Sequence, residues 1–201
     1  MAYSNFTLET VREKFQLETV ESANIFSDIE PVPPSEALVA ELEKKVQLAV
    51  AIRTEKARSE LIVTNVLVEL REQFDRRISL FSGIDLSVDP EQGLTGTCDF
   101  LISLSPGQFY LEAPIIVLVE AKNADPTLGI GQCVAEMIAA QRFNQQKRNN
   151  ISCVYGSTTT GTEWLFLKLE EKKLYIDMAV YPIERCDKIL GILSSMVNQT
   201  A

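Results

Sequence analysis

Ile115–Lys122 reads IIVLVEAK, and this stretch decides the fold because an apolar run passes directly into a glutamate, an alanine and a lysine. A nearly unbroken apolar run of this length is typical of a strand that is covered on both faces of a sheet. Alternate residues of a strand share a face, so Glu120 and Lys122 point to one side and Ala121 to the other. The sequence therefore predicts a buried strand that ends with a carboxylate and an ammonium side by side.

A second carboxylate lies inside the apolar segment that precedes this strand. Asp99 lies in a strand that we predict over Thr97–Leu104, and PGQ then turns the chain toward the next strand. If the two strands are neighbours, one hairpin brings Asp99 and Glu120 to the same place. Two adjacent carboxylates repel unless a cation joins them, and Mg²⁺ typically takes one or two carboxylates with waters and a substrate phosphate. We expect a metal site here, with Lys122 orienting or deprotonating a water.

Helical and strand periodicities continue on both sides of this hairpin. Glu36 to about Phe74 contains no glycine or proline and predicts one long helix, or two with a joint near 52–55. Alternation around Gly83 predicts a bent strand. After Lys122 the sequence predicts a helix over 129–148, strands over 151–157, 162–170 and 173–181, and a closing helix around 189–197. This order favours an α/β protein with a mixed sheet and helices packed on its faces.

The first 50 residues look like a helical extension ahead of a main domain that spans residues 51–201. Leu8, Val11 and Phe15 are spaced like one apolar helix face. Three prolines then interrupt any helix, and Ser35 is a plausible N-cap for the long helical segment.

Composition excludes several kinds of chemistry. The 201 residues are 46% hydrophobic and 23% charged, as in an ordinary globular protein. Histidine is absent, which removes serine-type triads and cysteine–histidine dyads. The cysteines form no CxxC pair and indicate reduced, half-buried thiols in a cytoplasmic protein. We expect neither a membrane-spanning segment nor a secretory signal.

The arrangement of Asp99 and the triplet 120–122 resembles the PD-(D/E)XK, or restriction-endonuclease-like, superfamily of phosphodiesterases, which includes restriction enzymes and Holliday-junction resolvases. The resemblance covers about residues 51–157 and implies an αβββαβ core, here with extra N-terminal helices and with C-terminal strands plus a helix. More narrowly, TEKARSELIV, CDFLIS, VEAKN and GQCVAEMIAAQ are similar to an uncharacterised family common in cyanobacteria, which brings no established activity.

The resemblance also implies roles for individual residues. Asp99 and Glu120 would hold Mg²⁺ or Mn²⁺ together with the backbone carbonyl of Ala121. Glu60, in the first core helix, would reach the metal or its water. Lys122 would position the nucleophilic water, and Gln132 would support the lysine. Cys98 stands where the motif's name has proline, a position at which members of the superfamily often vary.

Two classes of function remain open at the level of the sequence. The first is a metal-dependent nuclease acting on nucleic acid, DNA rather than RNA. The second is a binding or regulatory protein that keeps the fold but cleaves nothing, and the net charge of −9 favours it. Spare helices at both ends suggest a homodimer. The few candidate phosphate contacts are Lys56, Arg58, Arg142, Lys147 and Arg148.

Other ligand-binding motifs are absent or incomplete. Gly129-Ile130-Gly131 follows a strand, but Val134 occupies the place of the third glycine of a dinucleotide-binding loop. The sequence contains no GxxxxGK[ST] loop, which excludes a P-loop nucleotide triphosphatase.

Overall fold

The computed structural model describes residues 2–22, 24–149 and 151–198. The described helices are α1 Leu8–Phe15, α2 Glu36–Ile52, α3 Glu55–Arg58, α4 Thr64–Gln73, α5 Ile130–Gln146 and α6 Cys186–Asn198. The described strands are β1 Glu18–Ser22, β2 Ser79–Asp85, β3 Thr97–Ser103, β4 Ile115–Ala121, β5 Cys153–Thr159, β6 Glu163–Glu170 and β7 Lys173–Pro182. A π-helical turn, Ser59–Val63, joins α3 to α4.

The described strands form one seven-stranded mixed sheet in the spatial order β1-β7-β6-β5-β4-β3-β2. Strands β2, β3 and β4 are an antiparallel meander, and β5 lies parallel to β4. The chain passes from β4 to β5 through α5, since parallel neighbours need a crossover connection. The predicted α/β class, with a mixed sheet flanked by helices, is confirmed.

Each face of the sheet carries its own apolar core. On one face α2, α4 and α6 cover side chains such as Val117, Val119 and Phe166. On the other face α1 and α5 cover side chains such as Leu118 and Leu167. Because β4 supplies buried residues to both faces, its apolar run is continuous rather than alternating.

Two local predictions for the helical segments are confirmed. The long helical segment breaks at Arg53, which adopts a left-handed conformation with φ 60°, and Thr54 then caps α3 by accepting from the Ala57 N–H. Ser35 caps α2 by accepting from the Leu38 N–H. Within β2, Gly83 has a φ of 63°, which lies outside the extended range and suits a residue without a Cβ.

The first 50 residues are more than a helical extension, because they complete the sheet and one of its cores. Strand β1, which the sequence did not predict, pairs in parallel with β7 from Glu18 opposite Lys173 onward. Val11 and Phe15 of α1 are buried in the same core as α5. A Cβ on Gly131 would lie 2.4 Å from the Thr7 carbonyl carbon, so the N-terminal segment contacts α5 directly.

The two helices that were expected to offer a dimer interface differ in how much apolar surface they leave free. Helix α6 buries its apolar side chains, including Ile189, Leu193 and Met196, in the core. Helix α2 leaves Leu48 and Ile52 about half exposed. A homodimer stays a prediction.

The cysteines and the helix lengths bear on the remaining compositional expectations. All four cysteines are free thiols, and they are fully rather than half buried. None of the helices in the described part of the chain has the length and apolar character needed to cross a bilayer.

Candidate functional site

The hairpin of β3 and β4 brings the two predicted carboxylates together. The strands pair antiparallel with Phe100 opposite Val119, so the register puts Asp99 next to Glu120 at the open end of the hairpin. The backbone N–H of Ala121 donates to Asp99 Oδ2 at 2.8 Å. The Asp99 carboxylate is thus held against the end of β4, next to Glu120.

Lys122 lies between Glu120 and the first turn of α5. Its ammonium Nζ forms a close ion pair with Glu120 Oε1 and donates to Gln132 Oε1 at 3.3 Å. Its backbone N–H donates to the Thr159 carbonyl at 2.7 Å, which continues the pairing with β5 past the end of β4. The structure therefore brings Asp99, Glu120, Lys122 and Gln132 to one place.

Burial makes the charges of this cluster costly. The Glu120 side chain is 2% exposed, and desolvation, followed by the nearby Asp99 charge, raises its pKa to about 8 although Lys122 opposes the shift. Glu120 Oε2 is buried and has no hydrogen-bond partner within the described residues. Burial alone would lower the pKa of Lys122, but the Glu120 hydrogen bond and neighbouring carboxylates raise it above its ordinary value.

Glu136 completes this cluster, and the sequence analysis missed it. Its side chain is fully buried on α5, one turn after Gln132, and its Oε1 accepts from Gln132 Nε2 at 3.1 Å. Desolvation, then the Glu120 charge, raises the pKa of Glu136 well above its usual range. The signal was available, because a lone glutamate interrupts the apolar segment CVAEMIAA of a predicted helix.

The position of Glu60 does not support the predicted role, which was to reach the metal or its water. Its side chain is 61% exposed and pairs with Lys56 at 3.2 Å, one turn earlier on the same helical segment. The helix carboxylate that contributes to the electrostatics of the cluster is Glu55, whose charge raises the pKa of both Glu120 and Lys122. The π-helical turn that begins at Ser59 changes which side chains of this segment face the sheet.

Four of the five candidate phosphate contacts already have partners within the protein, and for Lys56 the partner is Glu60. Arg58 Nη1 donates to the Thr160 carbonyl at 3.0 Å. Arg142 pairs with Asp89 and its guanidinium lies 5.4 Å from the centre of the Phe15 ring. Lys147 Nζ lies 5.6 Å from the centre of the Phe143 ring. Both arginines therefore stabilise the fold, which leaves few free cations for a phosphate backbone.

The donor set of the cluster suits a hard divalent cation. Asp99 and Glu120 offer carboxylate oxygens, and the orphaned Glu120 Oε2 is the kind of atom that a cation or an ordered water satisfies. Thr158, which pairs with Glu120 across β4 and β5, has a buried hydroxyl that also lacks a partner among the described residues. Across the described chain, no three cysteine or carboxylate side chains already converge as metal ligands. Two carboxylates with main-chain and water oxygens are therefore the available set.

Fold and site together define an α/β protein with a seven-stranded mixed sheet and a buried acid–lysine cluster where β4 meets α5. Comparisons with protein-family models, with curated proteins and with solved structures find no significant match to this chain.

Proposed function

We propose that this protein is a divalent-metal-dependent nuclease, that is, a phosphodiester hydrolase, with a restriction-endonuclease-like fold. The observation that carries the proposal is the contact of Asp99 with the Ala121 N–H, which gathers two carboxylates and Lys122 at one strand end. The element order from α4 to β5 supports it, since a helix, an antiparallel meander, a helix and a parallel strand follow one another. This is the order that the resemblance implied.

In this proposal Asp99, Glu120 and the Ala121 carbonyl hold Mg²⁺ or Mn²⁺. The bound metal supplies Lewis acidity and lowers the pKa of a water ligand. Glu120 would bind the cation through its Oε2, which is free of protein partners in the described structure, while its Oε1 stays paired with Lys122. The negative charge of Asp99 and Glu120 is what such a cation neutralises.

Lys122 positions the attacking water or steadies the phosphate in this proposal. An ammonium has three N–H donors, and in the structure two of them are directed at Glu120 and Gln132. The third donor is left for a water or a phosphate oxygen at the mouth of the site. Gln132 supports the lysine by accepting one of its hydrogen bonds.

The proposed substrate is nucleic acid, with DNA favoured over RNA by the resemblance to restriction enzymes and resolvases. The net charge of −9 and the internal partners of Arg58 and Arg142 limit how many phosphates the surface can contact. We therefore expect weak, strongly salt-dependent binding that is confined to the phosphates nearest the cleavage site.

A second candidate function is a nuclease-fold binding or regulatory protein that does not cleave. The same acidic charge favours it, and so does the ion pair that Lys122 makes with Glu120 where a metal would bind.

The experiment that separates the two compares cleavage of labelled single-stranded, duplex and branched DNA and RNA in Mn²⁺. Lys122→Met removes the ammonium, and Lys168→Met is the matched control, since that lysine is similarly buried but lies on β6 beside Glu170. Cleavage lost only in Lys122→Met supports the nuclease. Absence of cleavage, together with no Mn²⁺ binding by calorimetry, would favour the second function.

A further inference from the structure

The burial of the Glu136 carboxyl lowers the stability of the fold. Glu136 lies on the sheet-facing side of α5, fully buried in a helix whose neighbours Cys133, Met137 and Ala140 are buried and apolar. Moving a carboxyl out of water costs free energy of folding that an apolar side chain of the same size does not cost. Its Oε2 also lacks a partner among the described residues.

The hydrogen bonds of Glu136 form a chain that reaches Lys122. Gln132 Nε2 donates to Glu136 Oε1 at 3.1 Å, and Gln132 Oε1 accepts from Lys122 Nζ at 3.3 Å. The two ends of a glutamine amide are different, because its nitrogen only donates and its oxygen only accepts. A flipped Gln132 amide would direct N–H groups at the ammonium and its oxygen at Glu136 Oε1. Lys122 can only donate, and Glu136 Oε1 accepts at the other end of the amide, so the two partners together favour the observed orientation.

We propose that Glu136 is a positioning residue that keeps the Gln132 amide oxygen turned toward Lys122, and so holds the Lys122 ammonium beside Glu120. The catalytic part of this role rests on the proposed function, whereas the orientation of the amide does not. A helix spacing of four residues puts Gln132 and Glu136 on the same face, so the contact is built into α5.

The electrostatics of the cluster agree with this role. Burial, followed by the nearby Glu120 charge, raises the pKa of the Glu136 carboxyl well above its usual range. A carbonyl oxygen accepts from Gln132 whether or not the carboxyl carries a proton, so the contact does not depend on the negative charge of Glu136. Glutamine is therefore the closest substitute for Glu136, and methionine is the substitute that removes the acceptor at nearly the same size.

The test combines side-chain amide NMR with kinetics on the full chain. In the wild type and in Glu136→Gln, we expect the Gln132 side-chain amide to give two separate, slowly exchanging proton signals. In Glu136→Met we expect faster exchange of these protons by about tenfold or more. For Mn²⁺-dependent cleavage we expect Glu136→Met to lower kcat about tenfold with KM within about twofold, and Glu136→Gln to stay within about threefold of the wild type.

A second variant is needed because Glu136 lies in the core, and Glu136→Met could fail to fold. Gln132→Met breaks the same chain at a half-buried residue, and Gln141→Met on the same helix is its control, since that side chain donates to the Leu169 carbonyl away from the site. Gln132→Met should reproduce the kinetic loss of Glu136→Met, and Gln141→Met should not.

Unchanged Gln132 amide exchange in Glu136→Met would overturn the inference, and so would a kcat loss in Glu136→Gln as large as in Glu136→Met. If the wild type cleaves no substrate, the proposed function fails while the amide exchange still decides the role of Glu136.

Discussion

Asp99 Oδ2 accepts a hydrogen bond from the backbone N–H of Ala121 at 2.8 Å, across the open end of the β3–β4 hairpin. This contact joins residues that are 22 positions apart and fixes a carboxylate beside the buried Glu120. Glu120 pairs with Lys122 and the Asp99 charge also acts on that lysine, so the site depends on one hairpin and the first turn of α5. The predictions that follow change this arrangement at single residues.

Removing the charge of Asp99 should abolish metal-dependent stabilisation. A ligand that binds only the folded state raises its stability in proportion to the logarithm of its concentration. We expect millimolar Mn²⁺ to raise the melting temperature of the wild type by a few degrees and to leave Asp99→Asn unchanged. Thermal unfolding followed by circular dichroism measures this. Asp75→Asn, at an exposed position, is the control and should respond as the wild type does.

Without metal, the stability of the protein should fall as the pH rises from about 5 to 8. The pKa values of Glu120 and Glu136 are raised in the folded state, so that state binds protons that the unfolded chain has already lost. The stabilisation is complete below the unfolded pKa and is lost as the pH passes the folded pKa. The chain has no histidine to obscure the effect.

Urea unfolding over this pH range measures the slope, which should be about 1 kcal/mol per pH unit. Glu136→Gln should make the slope smaller and leave the part that comes from Glu120. A stability that increases with pH would contradict the raised pKa values.

Gly129→Ala should displace the Lys122 side chain and so lower activity more than it lowers the stability of the fold. A Cβ at Gly129 would lie 3.1 Å from Lys122 Cγ and 3.2 Å from Thr158 Cγ2, while its φ of −87° accepts any residue. The lysine stem must give way, so we expect cleavage to fall about fivefold with a stability loss of about 1 kcal/mol or less. Paired kinetic and unfolding measurements test this. Equal activity in the variant would show that the stem moves without consequence.

Gly131→Ala should destabilise the whole protein. Its Cβ would lie 2.4 Å from the Thr7 carbonyl carbon and 2.5 Å from the Phe6 carbonyl oxygen, and backbone atoms cannot move aside as a flexible side chain does. We expect a loss of about 2 kcal/mol or more in urea unfolding. Deleting residues 1–22 should relieve this clash yet also destabilise, because it removes β1 and part of one core. A truncated chain as stable as the full one would show that residues 1–22 are dispensable.

Glu55, rather than Glu60, should influence the affinity of the site for the metal. Its charge acts on Glu120 and Lys122, whereas Glu60 is exposed and paired with Lys56. We expect Glu55→Gln to weaken Mn²⁺ binding severalfold at low ionic strength, and the difference to shrink in salt because Glu55 is solvent-exposed. Calorimetric titration of both variants measures this. A larger effect from Glu60→Gln would restore the original assignment.

Much of the architecture was accessible from the sequence because its signals are local. The apolar run before Glu120 predicts a buried strand, Gly83 predicts a bend, and the joint near residue 53 follows from the loss of apolar residues there. Strand β1 was not accessible in this way. Its five residues, ETVES, carry a single strongly apolar side chain, and only the parallel register with β7 makes them a strand.

The sequence by itself determined which residue types are available for chemistry: with no histidine and no CxxC pair, carboxylates, lysines and hydroxyls remain, and strand alternation puts Glu120 and Lys122 on one face. Only the tertiary structure decided which other carboxylates join them. Helix α5 packs on the sheet and buries Glu136 behind Gln132, and the helical segment before β2 turns Glu60 to solvent. The physical reason is that periodicity along a chain fixes the face of a side chain within its own element, whereas its distance to another element depends on how the two pack.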